Sequence, residues 1–509
     1  MNSYVASEQY LKDVANAIRT KMGDDNVVDF SNLSNIINNL PSGSSEYAYG
    51  IDFTDGTGKP FCGDKVTNMH HAFCSSPYVT EAICGNNVEN MYSAFSSCAN
   101  LTSAVCGNKV TDMSYAYSLC SKLVDIATCP PSVVLMQYTY LDCSSLKTAE
   151  VGPNVVDMSG AFQGCNNLAS YSLGRNVKYM DHSFYKCTSL SSMLIPPSTI
   201  SMNSTFENCT NLVDVIYRGN NVKYMIRTFW NCSNLAKAQC SDNVVDMSGA
   251  YYNCINVPNA VCGNNVTNMH SSFCGFVNNL YLLYSTNNEA INNYLQSCMK
   301  ITTAVCGPNV VDMSSAYSEC GHLTTAVCGS NVVNMSRAYE KCISLTTAVC
   351  GPNVVDMSSA YAYCFNVTQA VCGYNVVNMS YAYASCVNLR SALIGRSVKD
   401  ATNVFHALTD SVSKLTDIKI YTSSVINNIE NSFRFNTPSN MRKDIYVIAG
   451  SPINSAYWAL NNTKISSLDF SGTGTCFGNF SGNVNYSHNT ANKCYYDTNA
   501  NVYIHYTLS

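Results

Sequence analysis

The chain has 509 residues, of which only 12% are charged, and its formal net charge is −5. Such a composition lacks the basic patch that nucleic-acid binding requires. No apolar run in the sequence is long enough to cross a membrane. We therefore expect neither a nucleic-acid partner nor insertion into a membrane.

Residues 1–43 predict a helical segment, because apolar residues recur at helical spacing over 7–23 and again over about 30–40. The apolar stripe of the first helix is our candidate assembly surface, since its spacing suits a coiled-coil seam. It consists of Leu11, Val14 and Ile18. The alternative is that the helices only cap the apolar end of the structure that follows, and the two roles are compatible.

The stretch YLKDVANAIRTKMG…FSNLSNIINNLPSG in this segment resembles an N-terminal helical segment of structural and tail proteins of phages of Gram-positive bacteria. The resemblance implies that this segment attaches the chain to other virion proteins. The first residues, MNSYVASEQYLKD, are polar and include acidic residues where a signal peptide is apolar. We therefore expect no secretory signal.

From residue 50 to 411 the sequence repeats about every 22 residues, as in TTAVCGPNVVDMSSAYSEC at 302–320. One methionine per copy sets the register, and Ile291 and Ala401 replace it in two of 16 predicted copies. A unit this short cannot bury its own apolar face, so the copies must stack. The sequence therefore predicts a repeat solenoid over 50–411.

We number positions within a copy from its methionine, which is position 0. The methionine, the small residue at +3, the aromatic at +4 and the cysteine at +7 predict one face of a short helix. The Asp or Asn at −1 is its predicted N-cap. The Leu-Thr-Thr-Ala-Val-Cys run from +10 to +15 predicts a strand that pairs in parallel with its neighbours. Each rung is then a short strand, a turn and a short helix.

The tract V-x-D-M-S-x-A-[YF]-x-x-C-x-x-L resembles the BspA-like leucine-rich repeats of bacterial surface proteins. The residues that match in one copy are Val355, Asp356, Met357, Ala360, Tyr361 and Cys364. This sequence has Cys-Gly where that family usually has Ile-Pro. The resemblance implies a leucine-rich-repeat-like solenoid that binds other molecules, as adhesins do, rather than an enzyme.

The cysteines follow the repeat, because 23 of the 27 fall at position −7 or +7. We expect two inward columns of buried, reduced thiols that behave as small apolar groups. In-register side chains on parallel strands have poor disulfide geometry, and the chain has no C-x-x-C pair for zinc. Cys476 and Cys494 lie outside the columns, and a disulfide between them is possible.

The candidate ligand face is the outward side of the predicted strands in the most regular rungs, 303–371. Its columns at +12 and +14 are Thr303, Thr325, Thr347 and Gln369, with Val305, Val327, Val349 and Val371. Exposed β-branched columns of this length suggest that something covers them. The alternative is that these residues simply favour strand formation.

Residues 412–509 lose the period and predict a small β-rich domain, with a strand at 443–450 and a hairpin at 494–508. It could cap the solenoid or form a host-contact tip. A polar surface rich in Asn, Ser, Thr and Tyr suits a glycan or protein partner, but Asn-rich turns produce the same composition without a ligand.

No catalytic motif is present, and the recurring Asp is explained by its capping position, so we expect no catalytic, metal or cofactor site. With an adhesin-like repeat and no export signal, the sequence favours a virion protein, made in the host cytoplasm and belonging to a phage tail, that attaches to a host surface and can form a homo-oligomer. The alternatives are an exported bacterial surface adhesin and a structural virion spacer or decoration protein.

Overall fold

A computed structural model describes residues 49–52, 59–63, 65–126, 129–275, 299–395 and 397–406, together with five C-terminal strands. The predicted helices over 7–23 and 30–40, with the candidate assembly residues Leu11, Val14 and Ile18, lie outside the described residues. The chain divides into two compact units, which we describe separately. They are Met1–Val155 with Ser170–Leu173, and Val156–Ala169 with Gly174–Ser509.

Each described copy of the repeat forms one rung, and the rungs stack in parallel within each unit. The residue before each methionine forms a parallel bridge with its counterpart in the next rung, as between Asn90 and Asp112 in the first unit. In the second unit these bridges continue from Asp157 to Asp400. The predicted repeat solenoid with parallel pairing of rungs is therefore confirmed.

The predicted helix from position 0 to +7 is wrong, because these positions form two consecutive turns in the described rungs. The backbone is left-handed at +2 and +6, as at Ser315 (φ 54°) and Glu319 (φ 63°). The N–H groups at 0, +2, +4 and +6 donate to carbonyls of the next rung, as from Tyr317 to Ala338 at 2.9 Å. A helix would use these donors for its own carbonyls, so bonding between rungs excludes it.

The acidic or amide residue at −1 caps a turn instead of a helix. The Oδ1 atom of Asp312 accepts a hydrogen bond from the N–H of Ser314 at 2.9 Å. Asn334 accepts the N–H of Ser336 in the same way at 3.0 Å. Asp and Asn favour such turns, in which the side chain bonds its own backbone two residues on.

Short strands lie where the sequence predicts them in some rungs but not in others. The strands up to residue 395 are β1 (Tyr49–Asp52), β2 (Lys59–Cys62), β3 (Glu81–Ile83), β4 (Ser103–Val105), β5 (Asp125–Ile126), β6 (Thr148–Glu150), β7 (Ser170–Ser172), β8 (Ser192–Ile195), β9 (Asp214–Tyr217), β10 (Gln369–Ala370) and β11 (Ser391–Ile394). β1 and β2 pair antiparallel, whereas β3–β4–β5, β6–β7, β8–β9 and β10–β11 pair in parallel.

The strands predicted in rungs 303–371 are largely absent. The described residues between β9 and β10 contain no strand, and a single bridge joins Thr303 to Thr325. In these rungs a buried tyrosine hydroxyl bonds the backbone at +14 instead. The hydroxyl of Tyr361, for example, accepts the N–H of Val349 at 2.9 Å and donates to its carbonyl.

The rungs of Met269 and Met313 are direct neighbours, although 44 residues separate them. The N–H of Met269 donates to Asp312 at 2.9 Å, and the rings of Phe273 and Tyr317 stack with centroids 5.5 Å apart. These two rungs therefore stack directly on each other, and Ile291, the centre of a predicted copy, lies outside the described residues. The described residues contain 15 rungs in place of the predicted 16, four in the first unit and eleven in the second.

The core of each rung is built from the predicted inward positions. The methionine column and the +4 aromatics are almost fully buried, as at Met357 and Tyr361, each 0% exposed. Stacking continues from ring to ring, with the Tyr339 and Tyr361 centroids 5.3 Å apart. Burial of several large apolar side chains per rung is the main stabilising contribution.

The C-terminal strands are β12 (Asp417–Ile420), β13 (Lys443–Ala449), β14 (Tyr486–Asn489), β15 (Cys494–Asp497) and β16 (Val502–Leu508). They extend the sheet that β10 and β11 begin, in the order β10–β11–β12–β13–β16–β15–β14. β15 and β16 pair antiparallel. Because β12 continues the parallel pairing of the last rungs, a separate C-terminal β domain is not supported.

Candidate binding surface

The candidate ligand face lies outward in the structure. Thr303, Thr325, Thr347 and Gln369 are exposed. Val305, Val327 and Val371 are 37–40% exposed, and Val349 is half-buried. The alanine between the two columns is buried in each rung, as at Ala326. The structure thus brings all eight predicted residues to one face, and their role in binding stays a prediction.

Tyrosine hydroxyls hold the backbone of this face in place. The N–H groups of Val305 and Val371 donate to the hydroxyls of Tyr317 and Tyr383 at 2.9 and 3.0 Å. Burial raises the pKa of both tyrosines well above the ordinary value, so the hydroxyls stay neutral at physiological pH. The exposed valine methyl groups therefore stand on a backbone fixed from inside the rung.

A second exposed valine column at −2 was missed by the sequence analysis. Val311, Val333 and Val355 are 40–44% exposed, and each of the first two accepts the N–H of the next at 2.8–2.9 Å. The sequence contains a sign of this column, a Val-Val doublet before the Asp/Asn-Met pair of these rungs. The first valine of the doublet is buried, as at Val332, and the second is exposed.

The asparagines at −4 act within the solenoid. Their side-chain amides donate to the backbone of the preceding rung, from Asn331 to Pro308 at 2.8 Å and from Asn375 to Pro352 at 2.7 Å. Asn154 makes the same contact with Pro131 in the first unit. Much of the amide-rich surface is therefore explained by contacts between rungs.

One cluster of aromatic and charged residues departs from the repeat at the +2 and +5 positions. The Arg227 guanidinium lies 4.3 Å from the centre of the Trp230 ring and 2.7 Å from Glu207. Trp230 stacks on Tyr252 with centroids 3.7 Å apart. Gly249 accommodates the indole, because a Cβ there would lie 3.0 Å from the ring. Arg227 and Tyr252 both pack against the Trp230 ring, which reduces the surface that the ring offers to a ligand.

A second charged group lies at the +5 and +6 positions of the second unit. Lys341 Nζ lies 2.6 Å from Glu319 Oε1, and both side chains are nearly buried. Burial raises the pKa of Glu340, against the opposing effect of Lys341 and Arg337. These groups neutralise one another, and their geometry indicates a structural role.

The two cysteine columns differ more than the sequence predicts. Every described cysteine at +7 is buried, and most of these thiols donate to the carbonyl of the +4 aromatic in the preceding rung, as from Cys364 to Tyr339 at 3.1 Å. Seven of the ten cysteines at −7 are only half-buried. Burial raises the pKa of Cys98 and of Cys386 to about 12. Thiols of this kind are poor nucleophiles.

The part of the chain that the structure describes offers few residues for other kinds of site. No group of three or more His, Cys, Asp or Glu side chains there could hold a metal ion. The same residues include no helix with the length and apolarity needed to span a bilayer. The exposed columns are therefore the principal candidate for contact with another molecule.

The stacked parallel rungs define a leucine-rich-repeat solenoid. The family profile described as BspA type leucine rich repeat region matches residues 67–160, 158–276, 247–368 and 289–411 in six copies. Because these matches cover more than half of the sequence, the chain belongs to this family. The resemblance of residues 1–43 to phage proteins finds no support in the comparisons.

Three solved structures illustrate the similarity. A leucine-rich repeat protein from Bacteroides ovatus is 16% identical with a TM-score of 0.48, covering 70% of this chain and 82% of its own. A leucine rich cell surface protein from Faecalibacterium prausnitzii is 18% identical with a TM-score of 0.36, covering 70% and 83%. The pneumococcal vaccine antigen PcpA is 14% identical with a TM-score of 0.38, covering 79% and 91%. All these TM-scores are below 0.5, so we base no functional argument on them. None of the curated proteins matches the chain.

Proposed function

We propose that this protein is an adhesin-like binding protein displayed on a bacterial surface, and that the face over 303–371 contacts a glycan or protein of the host. The observation that carries the proposal is the pair of outward columns at +12 and +14. Threonine hydroxyls there repeat over three rungs, followed by the amide of Gln369, and valine methyl groups repeat over four. None of the eight residues carries a charge. Such a surface offers hydrogen bonds and apolar contact together, as interfaces require.

We propose binding in preference to catalysis on the chemistry of the described residues. The recurring acidic groups, such as Asp312 and Asp356, accept backbone N–H groups in turns. The buried thiols of the +7 column have raised pKa values, as at Cys364. Neither set resembles an activated nucleophile or a general acid–base pair. Membership of the BspA-type family fits a binding role.

Display on a virion remains our second candidate, on the single observation that residues 1–43 resemble segments of phage structural proteins. Antibodies against the solenoid distinguish the two, because they should label either intact bacterial cells or purified particles. Labelling of particles alone would replace the cell-surface proposal with attachment of a phage to its host. The contact face over 303–371 is the same in both cases.

The test of the contact face uses two pairs of substitutions. Val327→Lys with Val349→Lys places charge on the +14 column, and we expect host-cell binding to fall at least tenfold while the far-UV circular dichroism is unchanged. Val333→Lys with Val355→Lys is the matched control, because these −2 valines are at least as exposed as Val327 and Val349 but lie on the other column. Unchanged binding by the first pair would exclude the face, and selective loss with the second pair would assign contact to the −2 column.

A further inference from the structure

Four sulfur atoms meet in the first unit beside the rung of Met113. They belong to Cys84, Met91, Cys106 and Met113, which we call the sulfur cluster. The Cys106 Sγ atom lies 3.5 Å from Met91 Sδ and 4.0 Å from Met113 Sδ. The Cys84 thiol occupies the same position in the adjacent rung and neighbours the Cys106 thiol. Three of the residues are at most 6% exposed, and Cys106 is half-buried.

A buried hydroxyl without a partner lies next to this cluster. Tyr117 is 1% exposed, and its hydroxyl makes no hydrogen bond. The thiols of Cys106 and Cys84 are among its neighbours. In other rungs the hydroxyl bonds the residue twelve positions earlier, but here the carbonyl of that residue, Val105, already accepts the N–H of Cys84 at 3.1 Å. An unpaired buried polar group of this kind requires an explanation.

The contact between the cysteine at −7 and the methionine of its rung recurs at Cys129 and Met136, 3.8 Å apart, but the rungs of Met335 and Met357 differ. The thiols of Cys328 and Cys350 lie 3.7 Å from the carbonyl of the glycine that follows each of them. The hydroxyl of Tyr339, in the rung between them, donates to Val327 at 2.6 Å. The sulfur cluster with its unpaired hydroxyl is therefore not a necessary product of the repeat.

We propose that the sulfur cluster is a binding site for a soft monovalent metal ion of the Cu(I) class. Thiolate and thioether ligands select such ions. With metal–sulfur bonds of about 2.3 Å, as in zinc thiolates, three sulfurs around a metal lie about 4.0 Å apart. The observed separations of 3.5 and 4.0 Å are close to that value. Little rearrangement is then needed for a metal to replace the contacts between the sulfur atoms.

The charge balance favours a monovalent ion. Binding releases one thiol proton to solvent and forms metal–sulfur bonds to one thiolate and two thioethers, with no change in oxidation state. One cation and one thiolate leave the buried site neutral, which avoids the cost of an unpaired buried charge. The half-buried Cys106 provides the route for the ion and for the departing proton. The Tyr117 hydroxyl can then donate to the thiolate.

The test is copper retention by the purified full-length chain. Cu(I) is supplied without oxygen in the presence of excess bicinchoninate, which strips weakly held copper. We expect the wild type to retain one more equivalent than the Cys84→Ala/Cys106→Ala variant, and X-ray absorption of that copper to show sulfur ligands at about 2.3 Å. The Cys328→Ala/Cys350→Ala variant is the matched control and should retain the wild-type amount. Met91→Leu, which keeps the apolar packing, should weaken retention at least tenfold.

Two outcomes overturn the proposal. Equal retention by the wild type and the Cys84→Ala/Cys106→Ala variant would show that the cluster holds no copper. An equal loss in both double variants would show that thiols bind copper irrespective of the cluster. Circular dichroism of each variant distinguishes loss of the site from loss of the fold, and Met91→Leu maintains the test if the cysteine variants do not fold.

Discussion

The rungs around β4 and those around Thr325 stack in two different ways. Residues 102–107 read TSAVCG and residues 324–329 read TTAVCG. The first stretch contains a strand that pairs on both sides, with β3 and β5. The second forms only a bridge at Thr325, and the hydroxyl of Tyr339 bonds Val327 from inside the rung.

In most other rungs the choice between the two arrangements follows the residue at +4, although the two rungs compared here both have tyrosine there, Tyr117 and Tyr339. Where this residue is Phe162, Phe184, Phe206 or Phe229, the residue twelve positions earlier lies in a strand. Where it is Tyr251, Tyr317, Tyr339, Tyr361 or Tyr383, the hydroxyl bonds that earlier residue. Phe273 and Tyr117 are exceptions, since Val261 lies outside a strand, whereas Val105 lies in β4 and the Tyr117 hydroxyl does not bond it. A backbone N–H and carbonyl need partners when they leave water, and either a neighbouring strand or a hydroxyl can supply them.

Among the changes that test this difference between rungs, Tyr361→Phe should have the largest effect on stability. It removes the group that bonds both the N–H and the carbonyl of Val349. We expect the free energy of unfolding to fall by about 1–3 kcal/mol and the Val349 amide to exchange at least tenfold faster. Hydrogen exchange followed by mass spectrometry measures both. Unchanged exchange at Val349 would mean that a neighbouring rung or water replaces the hydroxyl without loss.

The sequence predicts the features that recur with the repeat, and it misses the features that depend on contacts with a neighbouring rung. The buried methionine and aromatic columns follow from their spacing alone. The helix from 0 to +7 was wrong because spacing also fits two turns, and only the next rung shows where the N–H groups donate. The strands predicted in 303–371 were largely wrong, with only β10 formed, because TSAVCG and TTAVCG have equal strand propensity and a tyrosine follows the valine of each by twelve residues. Only the contacts with neighbouring rungs decide between the pairings. For the same reason the outward columns were predictable, whereas the hydroxyls that fix their backbone were not.

A deletion between the Met269 and Met313 rungs should have a smaller effect on stability. Deleting 277–298 removes one period, and the rungs on either side already contact each other. Gly275 donates to Ser318 at 2.9 Å, and Lys300 donates to Ile255 at 3.2 Å. We expect an unchanged circular dichroism spectrum and a change of less than about 1 kcal/mol in the free energy of unfolding, since a shorter connection costs little entropy to close. Loss of the cooperative transition would show that the segment is required to join the rungs.

Tyr117→Phe should have the smallest effect and the opposite sign to Tyr361→Phe. The Tyr117 hydroxyl is buried without a partner, because Val105 lies in β4 and its carbonyl accepts the N–H of Cys84. Removing an unpaired buried hydroxyl restores no lost bond and relieves its desolvation, so the variant should be as stable as the wild type or more stable by up to about 1 kcal/mol. Denaturant unfolding of the metal-free chain measures the change. A loss of stability equal to that of Tyr361→Phe would mean that the Tyr117 hydroxyl does have a partner, and that strand pairing and hydroxyl bonding coexist in one rung.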